Sequence, residues 1–480
     1  MGQPNPEREP PTMPAQFAKA DASACPIWFA STDSWGDLLA QLPPQTRAHA
    51  AMLAYEPKPG RHLIVPGPGS AIACVIFGLE TAGARGRDPF LPGKLATVLP
   101  EGTYAFANAP HDAGLAALGW LLASYRFTRY KPNSTGLPQL VAPGGVDAAR
   151  LQRIADAMAL ARDLVNTPAN DMGPDALEAA VAGLAKTHGT ACRVVRGAEL
   201  LAQNFPLVHA VGRAATQEPR IADFSWGPEH APKVTLVGKG VCFDTGGLNI
   251  KPDAGMLIMK KDMGGAATAL ALATMIMGAK LPVRLRVIVP IVENSIAADA
   301  FRPGDIYPSR KGLSVEIGNT DAEGRLILAD ALAWADEDKP ELLLDFATLT
   351  GAARVALGPD LPPFYTMDGQ LAADIARHSA ACHDPVWRMP LWDAYDSLLD
   401  GKISHLNNIS GGPFAGSITA ALFLRRFVEH AGAWVHFDIY GWNPSTKPGR
   451  PEGGESQAAR LLFGLIEERF GAAASAKPLA

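Results

Sequence analysis

Short apolar runs alternate with segments of helix length along most of the chain, an alternation that favours an α/β architecture. Up to about residue 150 the runs, such as Ile72–Phe77, come with no recognisable chemistry. The pattern breaks at Ala142–Val146, where APGGV marks a domain boundary. After it, Leu151, Ile154, Met158, Ala161 and Val165 follow i, i+3, i+4 spacing. That spacing predicts an amphipathic helix, ended by Asn166-Thr167-Pro168. Val234–Val237 reads as a short buried strand opening into a glycine-rich loop, Arg284–Val292 (RLRVIVPIV) as a core strand, and Leu342–Phe346 as another. Glu323–Glu337 has a helical pattern. The longest apolar run, Met263–Ala279 (MGGAATALALATMIMGA), is slightly short for a membrane span and dominated by Gly, Ala and Thr, so a closely packed buried helix is expected. The organisation that follows is a small N-terminal α/β domain over 1–150 and a larger domain over 151–480.

Composition narrows this picture. The 480 residues are 48% hydrophobic and 19% charged, as suits a globular protein with a large core. A net charge of −5 supplies no global basic field for nucleic acid. The five cysteines (Cys25, Cys74, Cys192, Cys242, Cys382) are far apart and include no CxxC, which suits a reducing compartment rather than a disulfide framework. The first fourteen residues, MGQPNPEREPPTMP, lack the basic-then-apolar order of a secretory signal and read as a frayed terminus. A cytoplasmic protein is expected.

Two stretches stand out as candidate chemistry. One is Val237-Gly-Lys-Gly-Val-Cys-Phe-Asp-Thr-Gly-Gly-Leu-Asn-Ile-Lys251 with Met259-Lys-Lys-Asp-Met-Gly-Gly265; the other is Glu316-Ile-Gly-Asn-Thr-Asp-Ala-Glu-Gly-Arg325. Together they carry carboxylates at Asp244, Asp262, Asp321 and Glu323 and cations at Lys239, Lys251 and Arg325. Each piece alone has a plain explanation. The glycines suit a strand-end loop, although they fit neither GxGxxG nor GxxxxGK[ST]. Thr320-Asp-Ala-Glu323 ahead of an apolar run reads as a capping box. Lys260-Lys261-Asp262 reads as the charged start of the buried helix. Taken together these explanations weaken, because carboxylates beside an apolar strand and helix are poorly solvated. If they share a cavity, each close pair repels by ~4 kcal/mol at 4 Å and an effective dielectric near 20, which divalent cations would reverse. Carboxylate-rich sites suit Mn²⁺ and Mg²⁺. Spacing alone leaves open whether these residues meet. The eleven histidines include no HExxH, and no GxSxG is present, so zincin and serine hydrolase chemistry are disfavoured.

Asn319-Thr-Asp-Ala-Glu-Gly-Arg-Leu326 resembles the signature octapeptide of the leucyl aminopeptidase (cytosol aminopeptidase) family, and Gly238 to Gly265 is similar to that family's other metal-binding segment. The likeness covers roughly residues 150–445. It implies a catalytic domain with a central mixed sheet flanked by helices, and a metal-dependent aminopeptidase that hydrolyses the N-terminal peptide bond through a hydroxide bridging two ions. By this resemblance Asp244, Asp321 and Glu323 hold one ion, and Lys239, Asp244, Asp262 and Glu323 hold the other, either Mn²⁺ or Zn²⁺. Lys239 would ligate as a neutral amine, its pKa depressed by two adjacent dications. Lys251 would stabilise the developing oxyanion, and Arg325, with Gly324 and Leu349, would hold a bicarbonate that shuttles the proton. Met259, Asn319, Ala322, Thr348 and Gly351 would contact substrate, ordinary packing remaining an equal explanation for Met259. The resemblance further implies a homohexamer acting on peptides. The chain departs from the family's pattern at Tyr440 and Asn443, where many members have Ala and Met, which puts a leucine preference in doubt. Two other readings, a DNA-binding regulator and a catalytically dead homologue, are disfavoured by the acidity and by the intact set of seven metal and catalytic positions.

Overall fold

The computed structural model describes residues 15–21, 23–69, 71–132 and 136–471. The expected fraying of the first fourteen residues lies outside the described residues. The chain divides into two compact units, one of residues 1–159 with 445–452, the other of 160–444 with 453–480. The units part inside the helix Ala148–Asn166, whose Leu151, Ile154, Met158, Ala161 and Val165 are all buried, as its periodicity requires. The APGGV break precedes that helix.

The first unit holds a five-stranded sheet in the order His62–Pro66, Ile72–Gly78, Cys25–Ala30, Gly102–Phe106, Pro138–Leu140. Only the first pair is antiparallel. Its central residues Val75, Ile76 and Phe77 are fully buried. No charged side chain among the described residues of this unit is buried.

The second unit is built on a nine-stranded mixed sheet. Trp434–Asp438, Leu342–Ala347, Lys233–Gly238 and Arg284–Asn294 run parallel through its middle. Arg220–Trp226 and Pro363–Tyr365 pair antiparallel towards the two sides. Strands buried on both faces need continuous apolar sequence, and Leu342–Ala347 is buried at every position. The helix Gly264–Gly278 packs on Lys233–Gly238 and Leu342–Ala347, while Gly324–Glu337 packs on Lys233–Gly238 and Arg284–Asn294. A Cβ at Gly265 would fall 2.1 Å from the Phe346 carbonyl oxygen, so only glycine lets the first turn of that helix rest against the strand. The contact brings the helix start to the carboxyl ends of the parallel strands. Such ends, in open α/β sheets, are where ligands bind. No helix among the described residues is long and apolar enough to cross a membrane. All five cysteines are free.

Candidate metal centre

The strand Lys233–Gly238 ends at Lys239, Gly240–Asp244 ends at Asp244, and Leu342–Ala347 runs out at Thr348. The loop after Asp244 turns back through Gly246 and Gly247, at φ +89° and +66°, a left-handed conformation that L side chains resist. That turn returns Lys251 towards Asp244. Asp262 arrives on the 3₁₀ turn Met259–Met263 that leads into the buried helix, and Glu323 immediately precedes the helix Gly324–Glu337.

Both local explanations for these carboxylates are replaced by tertiary ones. Glu323 makes no side-chain cap. Thr320 instead donates its hydroxyl to the Gly246 carbonyl at 2.7 Å and accepts the Asn249 N–H at 2.8 Å, tying the two motif loops together. Asp262 is buried and accepts the Thr348 hydroxyl at 2.7 Å.

Asp244, Asp262 and Glu323 offer oxygens that lie within 4.8 Å of one another, and all three are buried. Lys239 Nζ sits 2.8 Å from Asp262 Oδ2, 2.9 Å from Glu323 Oε1 and 3.0 Å from the Thr348 carbonyl oxygen. Lys251 Nζ lies 2.8 Å from Asp244 Oδ2 and 2.5 Å from Asp321 Oδ1. Asp321 stands outside the tight trio, joined to it through Lys251, with its side chain 32% exposed.

The electrostatics follow from this crowding. Burial, then the charges of Glu323 and Asp262, pushes Asp244 well above the usual carboxylate range. Asp262 and Asp321 are raised for the same reasons, burial first and Glu323 among their neighbours. Glu323 goes down: burial opposes its charge, but Lys239 and Lys251 together outweigh burial. Burial works against the Lys239 ammonium too, yet Asp262, Glu323 and Asp244 hold its pKa above that of a free lysine.

These residues fit divalent cations. Glu323 Oε2 is buried without a hydrogen bond from any described residue. Asp262 Oδ2 and Asp321 Oδ1 touch lysine nitrogens but not along a hydrogen-bonding direction. Hard oxygen donors left unsaturated in a dry pocket, with one amine among them, form a suitable donor set.

Arg325 is buried, donates Nη1 to the Asn408 carbonyl at 2.6 Å, and leaves Nε without an acceptor among the described residues. Its pKa falls to about 10 because burial outweighs the attraction of Glu323 and Asp438. Gly324 beside it has no room for a side chain, since a Cβ would lie 2.6 Å from Lys239 Nζ. The Leu349 N–H is engaged by Asp438 Oδ1 at 3.0 Å. Asn319 Oδ1 accepts the Asp321 N–H at 2.7 Å, and the Ala322 carbonyl accepts Asn408 Nδ2 at 3.3 Å, so both shape the loop. Met259 is half-buried at the head of its turn, and Gly351 is exposed at the start of the helix Gly351–Leu357, with open space where a Cβ would be. Asn443 is buried and donates to Glu455 Oε2, which Arg162 also reaches.

Two residues at the site have no motif to announce them, and a third, Lys261, lies inside the Met259–Gly265 stretch with no role assigned to it by the sequence. Asn294 is fully buried and donates Nδ2 to Asp244 Oδ1 at 2.8 Å and to the Thr320 carbonyl at 3.1 Å. Its one signal is a polar residue closing a core strand. Asn408 clamps the octapeptide loop, accepting the Gly318 N–H and donating to the Asn319 carbonyl, both at 2.7 Å. Lys261, next to Asp262, is 2% exposed.

Comparisons with known proteins agree with this geometry. A family model described as cytosol aminopeptidase family, catalytic domain, matches residues 159–463, and one described as M17 aminopeptidase, N-terminal domain, matches residues 25–143. A probable cytosol aminopeptidase of Syntrophotalea carbinolica is 40% identical over 368 residues, covering 73% of this chain and 74% of that protein. The crystal structure of a cytosol aminopeptidase from Coxiella burnetii is similar with a TM-score of 0.90 and 41% identity, over 94% of this chain and 98% of that one. The bottromycin maturation enzyme BotP in complex with Mn is similar with a TM-score of 0.84 and 31% identity, over 93% and 99% of the two chains.

Proposed function

The chain belongs to the cytosol aminopeptidase family, metal-dependent peptidases, and from that premise we propose that it releases single residues from peptide N-termini with two divalent ions, Mn²⁺ or Zn²⁺. The observation that carries this reading is the buried trio Asp244, Asp262 and Glu323 facing the Lys239 amine, with oxygens left unsaturated. Asp244, Asp321 and Glu323 are assigned to one ion and Lys239, Asp244, Asp262 and Glu323 to the other. When bound, the ions polarise the scissile carbonyl and make a water nucleophilic near neutral pH.

The protein's own groups do the rest. Lys251 lies between Asp244 and Asp321 with its side chain 15% exposed, and those carboxylates keep its ammonium charged. From there it stabilises an oxyanion developing on the attacked carbonyl. Thr348 fixes Asp262 through its hydroxyl and Lys239 through its carbonyl, and Asn294 fixes Asp244. Buried Arg325, whose Nε has no acceptor among the described residues, would with Gly324 and Leu349 hold a small anion, bicarbonate, which would supply a proton relay to the leaving amine. The catalytic work is assigned to residues 151–480, with residues 1–150 carrying no chemistry. Met259, Asn319, Ala322, Thr348 and Gly351 are assigned to the substrate. A cytoplasmic homohexamer is the assembly the family likeness supports.

Glu323→Ala removes a carboxylate shared by both assignments. Metal content measured on the purified variant drops below two ions per chain, and turnover of aminoacyl amides is abolished. Undiminished turnover in the variant, or no hydrolysis by the Mn²⁺- or Zn²⁺-loaded protein across such a panel, overturns the reading.

A further inference from the structure

Beside the carboxylate trio lies a buried lysine that no carboxylate among the described residues pairs with directly. Lys261 is 2% exposed, yet among the described residues its ammonium makes no hydrogen bond or ion pair. Its ammonium lies 4.7 Å from the centre of the Tyr440 ring. The Arg354 guanidinium is 5.5 Å from the centre of the same ring. A buried ammonium is costly unless something negative meets it. The two nearby carboxylates are both engaged elsewhere. Asp262 receives Thr348 and Lys239. Asp438 accepts the Leu349 and Thr350 N–H groups, the Thr350 hydroxyl and Arg354. The Tyr440 hydroxyl also has no partner among the described residues.

This cluster adjoins the candidate catalytic groups. Tyr440 leads into Gly441, where a Cβ would come within 3.1 Å of Thr348 Cγ2 and 3.7 Å of Gly264 Cα. Thr348 is the residue that hydrogen-bonds Asp262. A peptide whose N-terminal amine and scissile carbonyl sit at the carboxylate trio therefore has its first side chain within reach of Tyr440, Lys261 and Arg354.

We propose that this pocket selects peptides beginning with an acidic residue, aspartyl or glutamyl, whose side-chain carboxylate supplies the counter-charge for Lys261 with Arg354 and the Tyr440 hydroxyl as further donors. The inference rests on the aminopeptidase reading. A neutral side chain of the same shape leaves Lys261 unpaired, and a basic one adds a third cation.

The test compares kcat/KM of the Mn²⁺-loaded protein on dipeptides beginning with Glu, Gln, Asp, Asn, Leu, Ala and Lys. Glu exceeds its isostere Gln, and Asp exceeds Asn, by at least about tenfold, the scale of a desolvated charge pair. In Lys261→Met the Glu-to-Gln ratio falls by at least about tenfold, and in Lys261→Arg it is retained. A wild-type protein that cleaves Gln and Asn peptides as well as the acidic ones overturns the proposal, whatever the variants do. So does a folded Lys261→Met protein with an unchanged ratio. Release of no residue from any peptide in the panel instead fails the aminopeptidase reading itself.

Discussion

Asp336, Asp384 and Asp330 are buried, like Asp244, Asp262 and Glu323, in the same unit of the molecule. Asp336 accepts the N–H groups of Glu429, His430 and Ala431, and Asp384 those of Ala458, Arg460 and Leu461. Asp330 accepts those of Leu207, Val208 and Arg310. Main-chain donors meet each of these carboxylates, joined at Asp384 by the Arg460 guanidinium at 3.3 Å, and each fastens distant segments together. The other three face one another and two lysines, with an oxygen of Glu323 left over. Burial therefore does not separate structural from functional acids here; the groups that meet each carboxylate do. Backbone donors favour the charge, although burial still outweighs them at Asp330, whose pKa rises to about 7; within the cluster, burial and like charge raise Asp244 and Asp262 while the two lysines lower Glu323.

The comparison breaks most visibly at Asp262. Changing it to Asn keeps an acceptor for Thr348 and removes one charge from a pocket that disfavours it. Turnover falls by about 10³-fold or more, some 4 kcal/mol of transition-state stabilisation. The metal-free protein is no less stable than wild type in a thermal melt. A marked loss of melting temperature there would put Asp262 among the structural acids. Asp336→Ala gives the converse. Three partly buried N–H groups lose their acceptor, stability to urea drops by about 3 kcal/mol, and turnover per folded molecule stays near wild type.

This contrast was only half legible in the sequence. Apolar runs found the buried helix Gly264–Gly278 and the parallel strands, because periodicity and run length report burial directly. The octapeptide and the glycine-rich segment pointed to the carboxylates, but Thr320-Asp-Ala-Glu323 satisfies the local rule for a capping box equally well. Only tertiary contact decides that Thr320 joins Gly246 and Asn249 and that Glu323 turns to Lys239. Asn294 and Asn408 hold the site from single positions with no repeat or spacing to mark them. Asp336 and Asp384 escape for the same reason, since main-chain donors carry no side-chain signature.

A subtler probe acts on Lys239 without removing any ligand. A Cβ at position 324 would overlap Lys239 Cε and Nζ, each 2.6 Å away, and the lysine is fixed at its other end against Asp262 and the Thr348 carbonyl. Gly324→Ala should therefore displace the amine and weaken metal binding by about 10–100-fold, the range typical of disturbed supporting contacts. Calorimetric titration of the metal-free variant with Mn²⁺ measures it. An affinity equal to wild type would mean that the amine does not contribute to the site.

The smallest effect comes from an acid between the two kinds. Asp345 is fully buried and satisfied by side chains: Trp434 Nε1 donates at 2.7 Å and His436 Nδ1 lies 2.6 Å away. Burial opposes a charged His436, but the Asp345 charge and hydrogen bond outweigh it and raise the imidazole pKa above 6.5. A raised folded-state value means that the native protein holds the proton more tightly than the unfolded chain. The stabilisation is thus fully present below about pH 6.5 and is lost as pH rises through the folded-state pKa, with a slope no steeper than one proton, about 1.4 kcal/mol per pH unit. Denaturant unfolding of wild type and His436→Phe between mildly acidic and mildly alkaline pH isolates the contribution, which the variant lacks. If both proteins show the same slope, His436 is held neutral over that range, and its Nδ1–H and the Trp434 indole meet Asp345 as two neutral side-chain donors, in place of the main-chain N–H groups that meet Asp336.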